Sequence, residues 1–200
     1  MSGPTTDTDD AVPRHYVLQC FSPLFDPVLA LGALPEVDGV ESWMAGTLIT
    51  TSVPQPVEVT VDRDEPGDLL ELYQLEALVM SERLVSALRA AGVDNLQVFD
   101  LVIRAPESGR VFTTHKLVNV VGRVACADLT RSTYASPRGS PLIDVDFDGL
   151  AIDEGRAGDH LLFRLAECVS AVIVHEQLRR QLIDQGFSML TFQLPSEFVG

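Results

Sequence analysis

The chain has 200 residues, 46% of them hydrophobic, a length and apolar content that suit one globular domain with a buried core. Its 14 basic and 29 acidic residues leave a formal net charge of -15, which repels nucleic-acid phosphate and anionic lipid. Nucleic acid and membrane are therefore not expected partners, and an electropositive protein is, although acidity that serves solubility alone would leave the same balance.

Residues 1–14, "MSGPTTDTDDAVPR", lack the basic start and apolar run of a secretory signal and read as a disordered leader. No later stretch reaches the roughly 18 apolar residues of a membrane span. The three cysteines, Cys20, Cys126 and Cys168, are odd in number, far apart and set among apolar residues. They read as reduced core thiols, and a cytoplasmic protein is expected.

"HYVLQCF" at 15–21 reads as a first strand, and residues 22–56 are broken by Pro and Gly too irregularly to place elements. "VEVTVD" at 57–62 alternates apolar and polar residues and predicts a strand with one wet face. Ser81 is a good N-cap, Leu84, Leu88 and Ala91 fall on one helical face, and Gly92 supplies the stop, so a short helix is predicted between two apolar strands. The strand at 96–103 and the long strand-like stretch 111–129 flank the turn-rich "RAPESGR", which predicts a β-hairpin. Residues 130–141 form a loop by composition; "HLLFRLAE" and "CVSAVIV" read as strands, "HEQLRRQLIDQG" as a helix, and "FSMLTFQL" as a final strand before a free tail, "PSEFVG".

Two strand-helix-strand units match at a constant offset of 94, as Glu82 with Glu176 and Gly92 with Gly186 show. Val79 then pairs with Ile173, Leu84 with Leu178, Leu88 with Leu182, Leu96 with Leu190 and Val98 with Phe192. Each unit needs an apolar strand, a helix with a Leu pair facing the sheet, and a Gly in the left-handed turn after it. Convergent packing would produce the same pattern without duplication.

"DVDFDGLAIDEG" at 144–155 resembles the start of a calcium loop, with Asp144, Asp146 and Asp148 at alternate positions and Gly149 next. Counted from Asp144, however, position 12 is Gly155, with Glu154 one place early, and both flanks, "SPRGSPLI" and "GRAGDH", are helix-breaking. An edge strand explains the pattern better, with Ile143, Val145 and Phe147 inward and the three aspartates in water. Cys126, Asp128 and Ser132 lie close together in sequence, but there is no nucleophile elbow. Asp128 and Ser132 are expected to fix a strand-to-loop corner by side-chain to backbone hydrogen bonds. The four histidines, His15, His115, His160 and His175, have no zinc-ligand spacing, and "GRAG" at 155–158 lacks the end of a phosphate loop. Glu82 and Glu176 favour their helix dipoles, and "LRR" at 178–180 reads as a solvated helix face. Arg164, within an apolar strand, is expected on a wet face or paired with Asp128 or Asp159.

"VMSERLVSALRAAGVDNLQVF", "LVNVVGRVACADLTRS", "LFRL" and "VIVHEQLRRQLIDQGFSMLTF" carry a resemblance in their order and spacing. The stretch from Tyr73 to Phe192 resembles a family of bacterial immunity proteins from polymorphic-toxin systems, typified by a myxobacterial immunity protein. The matching positions are Ser81, Glu82, Leu84, Asn95, Gln97, Asn119, Val120, Asp128, Ser132, Phe163, Arg164, Glu176 and Gly186, whereas His175 departs from a small capping residue. The resemblance implies an intracellular protein that neutralises a cognate toxin by binding it, with no catalytic residues and no cofactor.

The expected fold is α+β over residues 15–195, with a mixed or mostly antiparallel sheet, two principal helices and the two similar units. The expected function is stoichiometric binding of a toxin with a basic surface, with Asp144, Asp146, Asp148, Asp153 and Glu154 as the candidate contacts. No cofactor or metal is expected, and the oligomeric state is left open. A hydrolase or calcium-dependent enzyme using the acidic cluster or Cys126 is one rival, and an adaptor or structural subunit is another.

Overall fold

The computed structural model describes residues 13–21, 27–64, 66–135 and 145–200. Residues 1–12 of the expected leader lie outside them, but Arg14 belongs to the folded body. Its backbone N–H donates to Glu154 Oε1 (3.2 Å) and its guanidinium meets Asp159 at 2.5 Å. The described chain runs β1 (His15–Cys20), β2 (Val57–Thr60), β3 (Leu72–Gln74), β4 (Leu78–Ser81), α1 (Glu82–Ala90), β5 (Leu96–Ala105), β6 (Arg110–Phe112) and β7 (His115–Val120). It continues through β8 (Arg123–Val124), β9 (Tyr134–Ala135), β10 (Asp146–Phe147), α2 (Glu154–Ala157), β11 (Leu162–Leu165), β12 (Val172–His175), α3 (Glu176–Asp184) and β13 (Leu190–Gln193), and ends in a 3-10 turn at Pro195–Glu197.

Two larger sheets organise most of these strands, in the orders β13-β1-β12-β11-β8 and β2-β5-β7-β4-β3, with β6 added to β5, while β9 and β10 pair separately. β2 runs parallel to β5 and β8 parallel to β11, while the other pairings in these two sheets are antiparallel. The fold is α+β with mixed sheets, as the strand and helix patterns predict. One face of each sheet, with both principal helices, closes a common core that includes Leu18, Met80, Val118 and Val174. The other face of the six-stranded sheet packs Val79, Leu101 and Leu117 against Leu29, Leu31, Trp43 and Val53. The segment that offered no legible elements thus builds a core wall, tied by isolated bridges from Val28 to Asp68 and from Leu31 to Val61. The outer face of the five-stranded sheet packs Val17, Phe163 and Ile173 against Cys126, Phe147, Leu150 and Phe198.

The paired units at offset 94 are real in three dimensions. β4 and β5 flank β7, each antiparallel to it, and α1 connects them; β12 and β13 flank β1 in the same way, and α3 connects those. Leu84, Leu88, Leu178 and Leu182 all lie in the common core, so truncating any one to Ala would cost about 2–5 kcal/mol. Ser81 Oγ accepts from Leu84 N (3.0 Å), and His175 Nδ1, in place of a hydroxyl, accepts from Gln177 N (3.1 Å). Gly92 and Gly186 close the helices at φ +97° and +76°, a region that L side chains rarely adopt.

Four sequence expectations need correction. The single long strand over 111–129 is three pieces: β6, β7 and β8, the last in the other sheet. Gly122, at φ +101°, lets the chain turn between sheets there, and its N–H donates to Gly46 O (2.8 Å). The "GRAG" stretch holds one helical turn, α2, because Asp153 caps it by accepting from Gly155 N (3.0 Å) and Arg156 N (3.2 Å). The "LRR" face is not simply solvated: Leu178 is fully buried, and the Arg179 guanidinium lies 4.6 Å from the centre of the Tyr16 ring. The tail does not hang free. Phe198 is buried in the third core cluster, and Gly149 N donates to Phe198 O (2.9 Å).

Buried His115 gives the fold a pH dependence. Its Nε2 contacts Leu70 O (2.9 Å) and its Nδ1 contacts Thr114 Oγ1 (3.1 Å), so the neutral ring donates through Nε2 and accepts through Nδ1. Burial lowers the pKa of His115, and of His175, below the ordinary 6.5. The unfolded chain therefore binds protons that the folded chain refuses, and stability falls as the pH drops below about 6.5. Urea midpoints at pH 7.5 and pH 5.5 should differ, with a smaller difference in His115→Gln; an unchanged difference would remove His115 from the account.

Candidate functional site

The five residues expected to meet a partner separate into two groups, and Asp144 lies outside the described residues. Asp146 and Asp148 are exposed while Val145 and Phe147 are buried, so the strand alternation holds where it can be seen. Neither aspartate forms an ion pair among the described residues. The segment is not an edge, however. Asp148 N donates to Thr133 O (2.8 Å) on one side, and Phe147 exchanges backbone hydrogen bonds with Gly200 on the other. The C-terminal residues cover the border that was expected to be open.

Gly149 takes φ +112°, and a Cβ there would sit 3.3 Å from Ser196 O. That close passage of the tail explains the Asp-Gly pair as a turn. Among the described residues no group of His, Cys, Asp and Glu is arranged to hold a metal ion.

Asp153 and Glu154 are committed to the fold. Asp153 caps α2 and meets Arg156 Nε at 3.2 Å. Glu154 Oε2 lies 2.5 Å from Nδ1 of His15, a ring with no solvent exposure, and its other oxygen accepts from Arg14 N. His15 also stacks edge-on against His175 (5.1 Å) and Phe163 (5.7 Å). Glu154 thus ties the start of β1 to α2 across 139 positions of sequence. Periodicity carries no signal for such a contact; only an unpaired histidine in an apolar strand hints at one.

The rival chemistry finds little support in these surroundings. Burial, aided by Glu167, pushes the Cys126 thiol up to about 12, so it stays protonated at neutral pH. Ser132 Oγ donates to Asp128 O (2.8 Å) and accepts from Ala151 N (2.9 Å). Hydrogen bonds from Thr130 and Arg131 hold the Asp128 carboxyl down at about 2. These two residues fix the corner, as their types suggested. Arg164 contradicts its expectation: it is fully buried, pairs with neither Asp128 nor Asp159, and donates from Nη1 to Val169 O (2.7 Å).

Residues 12–194 match the model of the immunity protein family (Imm11). The chain belongs to this immunity protein family. The match extends the resemblance seen over Tyr73–Phe192 back to the start of β1, so that it takes in the core wall built by residues 27–53. No curated protein matches the chain. Among the described residues of this immunity protein, no helix is long and apolar enough to cross a membrane.

Proposed function

We propose that this immunity protein neutralises one cognate toxin by direct stoichiometric binding in the cytoplasm, without catalysis of its own. Family membership over residues 12–194 carries the reading. The net charge of -15 supports a toxin with a basic surface, because complementary charge speeds encounter and helps an inhibitor cover a basic cleft. A protonated Cys126 and a hydrogen-bonded Ser132 also favour binding over chemistry. Of the candidate acidic contacts, Asp146 and Asp148 are free of internal ion pairs among the described residues and are the better placed; Asp153 and Glu154 already hold α2 and β1.

Co-expression with the product of the neighbouring gene tests the reading. That product should be toxic alone and harmless with the immunity protein, and toxicity that persists would overturn the proposal. An Asp146→Lys, Asp148→Lys variant should slow association about tenfold at low salt and much less at high salt. An unchanged rate would take this patch out of the interface while leaving the immunity reading intact.

A further inference from the structure

Residues 33–44 and Glu76 line an open hollow of about 700 Å³ on the side of the molecule covered by the residue 27–53 wall. Four carboxylates line it, Glu36, Asp38, Glu41 and Glu76, all exposed and none with a hydrogen bond or ion pair among the described residues. No Lys, Arg or His shares the lining, and residues 16–62 contain none. Elsewhere several carboxylates are answered by a cation: Glu58 by Arg104, Asp64 by Arg110, Asp128 by Arg131, Glu176 by Arg179 and Arg180. Here the negative charge is unanswered from within the chain.

Trp43 is the second observation. It lines the hollow yet is only 7% exposed, held edge-on against Phe99 at 5.4 Å. Its indole N–H has no acceptor among the described residues and is not one of the fold's fully buried unpaired donors, so it is open to a partner that enters from solvent. Carboxylates attract a cation, and the indole N–H is left to meet a carbonyl. A bare metal ion does not fit, since the acidic groups are not close enough together to hold one. The combination suits a cationic side chain together with the backbone that presents it, and Trp is the residue type most enriched at the energetic centre of protein interfaces.

We infer that this hollow receives an arginine or lysine side chain on an exposed loop of the cognate toxin. The inference rests on the toxin-binding reading but names a surface distinct from Asp146 and Asp148. Trp43 is the single tryptophan of the chain, so its emission reports directly on the hollow.

The test titrates the full-length protein at low salt with a catalytically inactive form of the neighbouring gene's product. A second titration uses the peptide acetyl-Gly-Arg-Gly-Arg-amide, with the Gln analogue as control. Wild type should show a shift of Trp43 emission with the protein. A Glu36→Gln, Asp38→Asn, Glu41→Gln variant should bind at least about tenfold more weakly. These side chains make no hydrogen bond or ion pair among the described residues, so an unchanged melting temperature is expected and confirms that the variant is folded. Equal affinity for the variant and wild type overturns the hollow while the toxin-binding reading stands. If the gene product fails to bind but the arginine peptide shifts Trp43 in wild type and not in the variant, the hollow stands and the toxin reading falls. If neither probe moves the emission, the hollow is overturned, and the toxin-binding reading falls with it only if the gene product also fails to bind.

Discussion

Phe198→Ala is expected to lower stability by about 3–5 kcal/mol, which for a chain of this size is a fall in melting temperature on the order of 10 °C. Phe198 is buried with Phe147, Leu150 and Phe163 on the outer face of the five-stranded sheet. Its loss would leave a cavity that the rigid sheet beneath cannot collapse to fill. The backbone around it is equally engaged: Leu150 N donates to Pro195 O (2.9 Å) and Gly149 N to Phe198 O (2.9 Å). Val199→Ala is the control, because Val199 is 69% exposed and its truncation should cost less than about 0.5 kcal/mol. Thermal melts of the two variants decide the matter, and equal melting temperatures would return the tail to a free end.

Arg164→Met is expected to act in the opposite direction and raise stability by about 1–4 kcal/mol. Arg164 shares its face of β11 with Leu162, a residue of the common core, and its exposure is 0%. Among the described residues it has no carboxylate partner, and its Nε and Nη2 have no hydrogen-bond acceptor. Burial lowers its pKa to about 10, which still leaves it charged at neutral pH. The cost of removing that charge from water is offset only in part by one hydrogen bond, to the carbonyl of half-buried Val169. Methionine fills similar volume without the charge, whereas Arg164→Ala would add a cavity and lose the gain. Chemical denaturation of both variants checks the sign. A loss of more than 1 kcal/mol in Arg164→Met would mean that the cation contributes to the folded state through a partner beyond these contacts.

How much was legible follows from the range of the forces involved. α1 and α3 were readable because a cap, a Leu pair four residues apart and a closing glycine all lie within one segment of about a dozen residues. The alternation of Val145, Asp146, Phe147 and Asp148 is readable for the same reason, and the slipped frame, with Glu154 one place early, argues against a calcium loop from sequence alone. The partner surface was legible only as a preponderance of acid. Asp153 and Glu154 read the same as Asp146 and Asp148, since sequence shows a carboxylate but not the His15 or Arg14 that answers it from far along the chain.

Length, net charge, the two helical units and family resemblance were determined by the sequence alone, because each depends on composition or on neighbours a few residues apart. Tertiary structure alone decided that β8 leaves its hairpin for the other sheet, that Arg164 is buried without a counter-charge among the described residues, and that the tail pairs with residues 147–150. It also decided that an irregular, cation-free segment wraps Trp43 into an acidic hollow. Each of these outcomes turns on which distant surfaces exclude water together, and burial of that kind is a property of the whole chain.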